Sequence, residues 1–304
     1  MISKNKFKYL IFLFAFLILF LIVLFILQVY NKLNESFDST IQNKITCLYA
    51  YYEKNELYKE NFRFFLNNGI LDNIDYYIII NGDCSIDIPS RDNIVIYKRD
   101  NIGYDFGAYS YALDKIKNSH HREYEYYFFI NGSVCGPYIR PNSDANKKWC
   151  DYFIELFNDN DTNIKIVGTS INIYPVDNLY GYNLRELYNK DVPFTHIQSM
   201  MFCIKHDYLE YLNSIDFFNE NELNKSDMAY IITHKEFGLT QHALKNGWNI
   251  NSILDKYRGF DYTKIKEDFN KTSQYGDPYY INAYFGGTID KYDAIFYKSY
   301  RLNQ

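Results

Sequence analysis

The stretch ITCLYAYYEKNELYKENFRFFLNNGILDNIDYYIIING, residues 45–82, decides how the chain folds. ITCLYAYY (Ile45–Tyr52) is rich in aromatic and β-branched residues and reads as a strand. NELYKENFRFFLNNG (Asn55–Gly69) puts Leu57, Phe62, Phe65 and Leu66 on one side and Gly69 where a carboxy-terminal cap belongs, so its spacing predicts a helix. DYYIIING (Asp75–Gly82) is a second apolar strand closed by a turn. Outward from this stretch, NIVIYKR (Asn93–Arg99) reads as a strand, DFGAYSYALDKIK (Asp105–Lys117) as a helix and EYEYYFFING (Glu123–Gly132) as a fourth strand. Continuously apolar strands alternating with helices predict an α/β fold, a mostly parallel sheet covered on both faces.

At 304 residues the chain can bury a sizeable core. The formal net charge is −5 and the pI near 5.7, which argues against a nucleic-acid partner held through a basic face. Five cysteines, odd in number and without a CxxC pair, argue against a disulfide scaffold and a structural zinc site. The 33 Tyr and 24 Phe accompany abundant Asn, Lys and Ile, a bias typical of AT-rich coding sequence, so tyrosine number carries no functional meaning. No internal repeat and no Pro- or Ser-rich linker divides residues 45–304, which read as one domain of catalytic size.

YLIFLFAFLILFLIVLFIL (Tyr9–Leu27) contains no charge, Gly or Pro. Roughly 20 such residues span a bilayer core as a helix. The expected organisation is a cytoplasmic tail over 1–8, a transmembrane signal anchor over 9–30, a stem over 31–44 and the catalytic-size domain over 45–304. A cleaved signal peptide would have a shorter apolar region followed by small residues, and a buried globular helix would show a polar stripe. Lys4, Lys6 and Lys8 on the amino-terminal side predict a single-pass type II membrane protein with its domain across the membrane.

In such a sheet, ligands bind beyond the carboxyl ends of the strands. Three of these ends are chemically loaded: Arg99–Ala108, Asn131–Pro137 and His196–Ser199. Gly103 and Gly107, four apart after a strand, allow close approach of backbone to a ligand. Asp105, opening a helix, either caps it or holds a ribose or base. His196 and Gln198 share one strand face by period-2 alternation. Among the Asn-x-Ser/Thr sequons, Asn131 ends a buried strand where a glycan would not fit; Asn34, Asn160, Asn224 and Asn270 are open to glycosylation in a lumenal domain.

RDNIGYDFGAYSYAL (Arg99–Leu113) followed by YYFFINGSVCGPYIRP (Tyr126–Pro141) resembles the rhamnan-synthesis F-like glycosyltransferases and their uncharacterised eukaryotic relatives, which carry N-x-G-Y-D-F-G-[AS]-[YW] and then a strand ending in N-[DS]-S-V-x-G-P. The likeness continues through Trp149 and Phe153, IKIVGTSIN (Ile164–Asn172), HIQSMMFCIKHDYLEYL (His196–Leu212), KEFGLTQHALKNGWNINSIL (Lys235–Leu254) and AIFYKSYR (Ala294–Arg301). In order, these blocks cover most of residues 45–301.

The resemblance implies a GT-A type, Rossmann-like fold binding a nucleotide-sugar donor, with Asn101, Gly103, Tyr104, Asp105, Gly107, Asn131, Ser133 and Gln198 as donor-binding candidates. It implies transfer of a hexosyl or deoxyhexosyl group to a glycan or glycoconjugate acceptor, as in polysaccharide biosynthesis. With the anchor, it implies a domain in the Golgi or ER lumen, compartments that import nucleotide sugars. Such enzymes usually hold Mn²⁺ or Mg²⁺ on acidic residues where this chain has Asn131-Gly132-Ser133, without a carboxylate. That leaves metal-independent transfer, a carboxylate from elsewhere, or an inactive relative. Asp83 and Asp87 are the candidate stand-in metal ligands; their alternative is solvated turn residues.

An inverting sugar transfer needs a base for the acceptor hydroxyl. If 226–246 is one helix, Met228, Ile232, Leu239 and Ala243 form an apolar stripe on which Glu236 falls. Burial there would tune a carboxylate for proton transfer. The family block E-x-G-[LA]-[ST] also falls on Glu236–Thr240. The alternative is a helix-boundary Glu turned outward by a break at Gly238. His196 is the second catalytic candidate, contacting diphosphate or acceptor. A catalytically silent GT-A-like domain that binds glycan or supports a partner enzyme is the competing function.

Overall fold

The computed structural model describes residues 20–25, 28, 44–161, 163–175, 181–188 and 193–298. The chain divides into two units, Met1–Asn43 and Lys44–Gln304. In the first, residues 20–25 and 28 are helical. A bilayer crossing takes about 20 consecutive helical residues, and among the described residues no helix is long and apolar enough to cross a membrane. This corrects the expected transmembrane signal anchor over 9–30, and with it the membrane partner, the type II topology and the lumenal (Golgi or ER) localisation, for which the structure gives no support. The tail 1–8, the rest of 9–30 and the stem up to 43 lie outside the described residues.

Among the described residues of the second unit there are nine strands: β1 (Ile45–Tyr51), β2 (Ile74–Asn81), β3 (Ile94–Arg99), β4 (Tyr126–Asn131), β5 (Ile164–Gly168), β6 (Ile171–Tyr174), β7 (Phe194–Ile197), β8 (Met201–Lys205) and β9 (Asn249–Ser252). Seven form one sheet in the order β3-β2-β1-β4-β8-β5-β9, while β6 and β7 pair as an antiparallel ribbon. The main sheet is mostly parallel, as expected: β8 alone runs against the others, antiparallel to both β4 and β5.

The elements predicted around residues 45–82 form for the reasons that predicted them. β1 and β2 are buried along their whole lengths and pair in parallel from Ile45 opposite Ile74. The helix Glu56–Asn68 starts at Asn55, whose side chain accepts the Tyr58 N–H, and it buries Phe62, Phe65 and Leu66. Phe62 stacks on Tyr51 at 4.2 Å, and Phe65 meets Tyr49 at 4.6 Å between ring centroids. Gly69 ends the helix with φ −101°, so no left-handed turn demands it. Contact does: a Cβ there would lie 2.6 Å from the Phe65 ring.

A second correction concerns Asn270. Fully buried, it donates to the Tyr257 hydroxyl and the Ala283 carbonyl and accepts from the Phe285 and Thr272 N–H groups, so it cannot carry a glycan in the folded chain. It pins an irregular loop instead.

Phe62→Ala should cost about 3–5 kcal/mol, the usual penalty for emptying a buried aromatic site, measured by chemical denaturation of the full chain. A loss under about 1 kcal/mol would show that the Glu56–Asn68 helix does not carry the core.

Candidate active site

The chain leaves β1 towards β2 and β3 on one side of the sheet and returns to β4 on the other. Its topological switch point therefore lies between β1 and β4, where open α/β sheets bind ligands. The helix Tyr104–Lys115 makes this return, and its start is shaped by two left-handed residues, Gly103 (φ 70°) and Tyr104 (φ 55°). A Cβ on Gly107 would fall 2.4 Å from the Ile102 carbonyl oxygen, and one on Gly103 would fall 2.9 Å from that of Leu223. Asn81, at the end of β2, ties the turn down by donating to the Tyr104 carbonyl (3.2 Å) and accepting from Arg99 Nη1 (3.1 Å).

Asp105 is at the centre. Its Oδ1 accepts the Phe106 N–H (3.0 Å) and its Oδ2 accepts from Asn131 Nδ2 (2.9 Å), so the end of β4 and the start of the helix are joined at a carboxylate. Burial pushes the Asp105 pKa up, and the negative charge of Glu236 pushes in the same direction, against the lowering effect of the Asn131 hydrogen bond. Glu236, one-quarter exposed, faces His196, whose Nε2 is 3.8 Å from its Oε1. His196 is buried on β7, its ring centroid 3.9 Å from that of Phe237. Thr240 and Gln241 hold β7 in place: Thr240 Oγ1 accepts the Ile197 N–H (2.9 Å) and Gln241 Nε2 donates to the Thr195 carbonyl (2.7 Å).

Asp105 and Asn131 are thus joined by a hydrogen bond, Glu236 and His196 face each other, and the charge of Glu236 reaches Asp105. Ser133 is tied in through the Asn131 side chain, and the Asn131 backbone N–H donates to the Met200 carbonyl just beyond Gln198. Gln198 is buried past the end of β7 and accepts from Ser170 Oγ (2.5 Å). Gly103, Tyr104 and Gly107 form the adjoining turn, with Asn101 exposed at its rim. Asp83 and Asp87 are not drawn in. Both are exposed; Asp83 pairs with Lys98 (3.1 Å), and neither hydrogen-bonds or ion-pairs with Asp105, Asn131 or Glu236.

The Asn131–Ser133 turn does not suit a divalent cation. Asn131 Oδ1 already accepts from the Ser133 N–H (3.0 Å) and Oγ (2.5 Å), and Asn131 Nδ2 serves Asp105. The Asn131-Gly132-Ser133 turn is closed on itself, with no carboxylate of its own. Among the described residues no group of three or more His, Cys, Asp or Glu side chains is arranged to hold a metal ion.

The path to Glu236 differs from the continuous helix expected over 226–246. Met228–Tyr230 is α-helical, Ile231–Glu236 is a π-helical turn, and Phe237–Lys245 is α-helical again, through Gly238. The wider π turn breaks the i, i+4 stripe. Leu239 and Ala243 are buried as expected, but Met228 faces solvent and Lys235 is buried. Lys235, Thr240 and Asn172 were not singled out by pattern. Asn172 pairs with His196 across the β6–β7 ribbon, and its buried Oδ1 has no hydrogen-bond partner among the described residues.

Two clefts lie elsewhere, one of about 470 Å³ bounded by Ser110, Asp114, His206 and Glu220, the other of about 640 Å³ bounded by Tyr138, Lys148, Lys291 and Tyr292. Neither is lined by Asp105, Asn131, His196 or Glu236.

No family model matches the sequence, and no curated protein matches it. Among solved structures, the chain is similar to the mannosyltransferase PcManGT from Pyrobaculum calidifontis in complex with GDP-Man and Mn²⁺, with a TM-score of 0.39 and 11% identity over 69% of this chain. The similarity spans 54% of that protein, about half its length. A likeness this weak carries no argument about donor, acceptor or metal.

Because its pKa is raised, Asp105 contributes stability that is fully present below the ordinary carboxyl range and is lost as pH rises through the raised value. Asp105→Asn should therefore melt no lower than the wild type at pH 7, with any gain shrinking as pH falls through the raised pKa and the native carboxyl takes up its proton. A variant melting well below wild type at pH 7 would show that the ionised carboxylate is a structural cap.

Proposed function

We propose that this chain is a GT-A type glycosyltransferase that moves a hexosyl or deoxyhexosyl group from a nucleotide sugar to a hydroxyl of a glycan or glycoconjugate. The observation that carries this reading is the meeting of Asp105, Asn131, Glu236 and His196 at the switch point of the sheet. The likeness of the Arg99–Leu113 and Tyr126–Pro141 blocks to rhamnan-synthesis F-like enzymes supports it.

In this reading the turn Asn101–Gly107 and the Asn131–Ser133 turn receive the donor. Asp105 hydrogen-bonds its nucleoside, and Gln198 contacts the sugar. Glu236 takes the proton of the acceptor hydroxyl as that oxygen attacks the anomeric carbon. The bond from the anomeric carbon to the diphosphate breaks, and the nucleoside diphosphate departs with the electron pair. With a single base and no enzyme nucleophile the anomeric configuration inverts. His196, beside Glu236, orients the carboxylate and faces the diphosphate or the acceptor. No step runs through a divalent ion, because the Asn131-Gly132-Ser133 turn does not suit one.

The same missing carboxylates favour a second reading, a catalytically silent domain of this fold that binds glycan or supports a partner enzyme. Glu236→Gln decides between them once a donor is found. If Glu236 is the base, transfer should fall by about 10²–10⁴-fold while donor affinity stays within a few-fold. Full activity of the variant would remove Glu236 from the chemistry. To find the donor, UDP-, GDP- and dTDP-sugars are screened by thermal shift. A true donor at 100 times its dissociation constant should stabilise the chain by about 2.7 kcal/mol, equally with EDTA and with Mn²⁺. A shift that needs Mn²⁺ would contradict metal-independent binding, and binding without transfer would favour the silent domain.

A further inference from the structure

Lys235 precedes the proposed base and is 4% exposed, rare for a lysine unless its charge is met. Here it is met twice: Nζ donates to the Phe217 carbonyl (2.8 Å) and to Glu222 Oε2 (3.0 Å). It also lies 4.9 Å from the centroid of the Phe217 ring. Glu222 accepts a second hydrogen bond, from the Tyr230 hydroxyl at the entrance to the π turn. Tyr230 stacks on His234 at 3.8 Å. The ammonium and Glu222 thus bind both ends of the turn Ile231–Glu236 to the segment Phe217–Glu222. Its middle is held from the other side, where the Tyr188 hydroxyl donates to the Thr233 carbonyl (2.8 Å).

A π turn is less stable than the α-helix it interrupts and persists where side chains hold it. Relaxing to α-helical winding would rotate the residues before Phe237 by one position relative to those after it. Glu236 sits at that junction, so its approach to His196 depends on which winding is present.

We infer that Lys235 is a positioning residue, whose buried ammonium, clamped by the Phe217 carbonyl and Glu222, locks the Ile231–Glu236 π turn and so presents the Glu236 carboxylate to His196. Its catalytic consequence rests on Glu236 being the base; the positioning itself does not.

The test reads the His196 ring by NMR titration of the full chain in wild type, Glu236→Gln, Lys235→Met and the double variant Glu222→Gln/Lys235→Met. The double variant removes both charges, so no unpaired carboxylate remains to unfold the protein. Glu222→Gln alone, at a half-exposed site, serves if neither lysine variant folds. Loss of a carboxylate beside an imidazole lowers its pKa by about one unit or more, so Glu236→Gln should lower that of His196. Lys235→Met and the double variant should move it at least half as far, although Glu236 is intact, and Glu222→Gln should move it in the same direction. A wild-type His196 titration in the charge-removing variants, alongside a shifted one in Glu236→Gln, would overturn the inference. So would an unshifted Glu236→Gln, since the contact to be positioned would then be absent. Failure of the catalytic reading shows separately, as Glu236→Gln retaining full transfer with the His196 shifts unchanged.

Discussion

The hydrogen bond from Asn131 Nδ2 to Asp105 Oδ2, 2.9 Å long, joins the end of β4 to the start of the helix that follows β3. A carboxylate removed from water must be met by donors, and this constraint orders the rest of the site. Asn131 spends its amide on Asp105 and its carbonyl oxygen on Ser133, which closes the 131–133 turn. With those oxygens committed, the turn is a poor ligand for a hard cation. Burial raises the pKa of Asp105, and the like charge of Glu236 adds to that rise.

The central sheet supplies the frame at modest cost because its first two strands are apolar on both faces. Those strands and the helix between them bury one another's aromatic rings, leaving the strand ends free to carry polar residues. The ribbon β6–β7 stands outside the main sheet and brings His196 to the same end, secured by Thr240 and Gln241 from the helix behind it.

Elements whose pattern follows a single period were legible in the sequence. β1 to β4 read as apolar runs, and Phe62, Phe65 and Leu66 marked the buried side of the first helix. Where local pattern and tertiary contact diverge, legibility ended. Nothing in the period of residues 226–246 reveals a π turn, because the extra residue is held by partners distant in sequence, Phe217, Glu222 and Tyr188. The antiparallel direction of β8 was hidden because strand composition does not encode direction. Asn270 lay in a sequon by letter, yet its carboxamide is a buried hub. The apolar run Tyr9–Leu27 predicted a spanning helix from composition, and the described residues include none of that length. Of the site, the glycines, Asp105, Asn131, His196 and Glu236 were named from strand ends and motif likeness. Their convergence is a property of the fold, as is the exclusion of Asp83 and Asp87.

Amide hydrogen exchange of the full chain, with and without saturating nucleoside diphosphate in EDTA, tests most directly whether this convergence is a donor site. Slowed exchange is predicted in three separate segments, 101–107, 131–133 and 196–200, with the Tyr138–Tyr292 cleft unchanged. Protection confined to that cleft, or absent from all three segments, would contradict it.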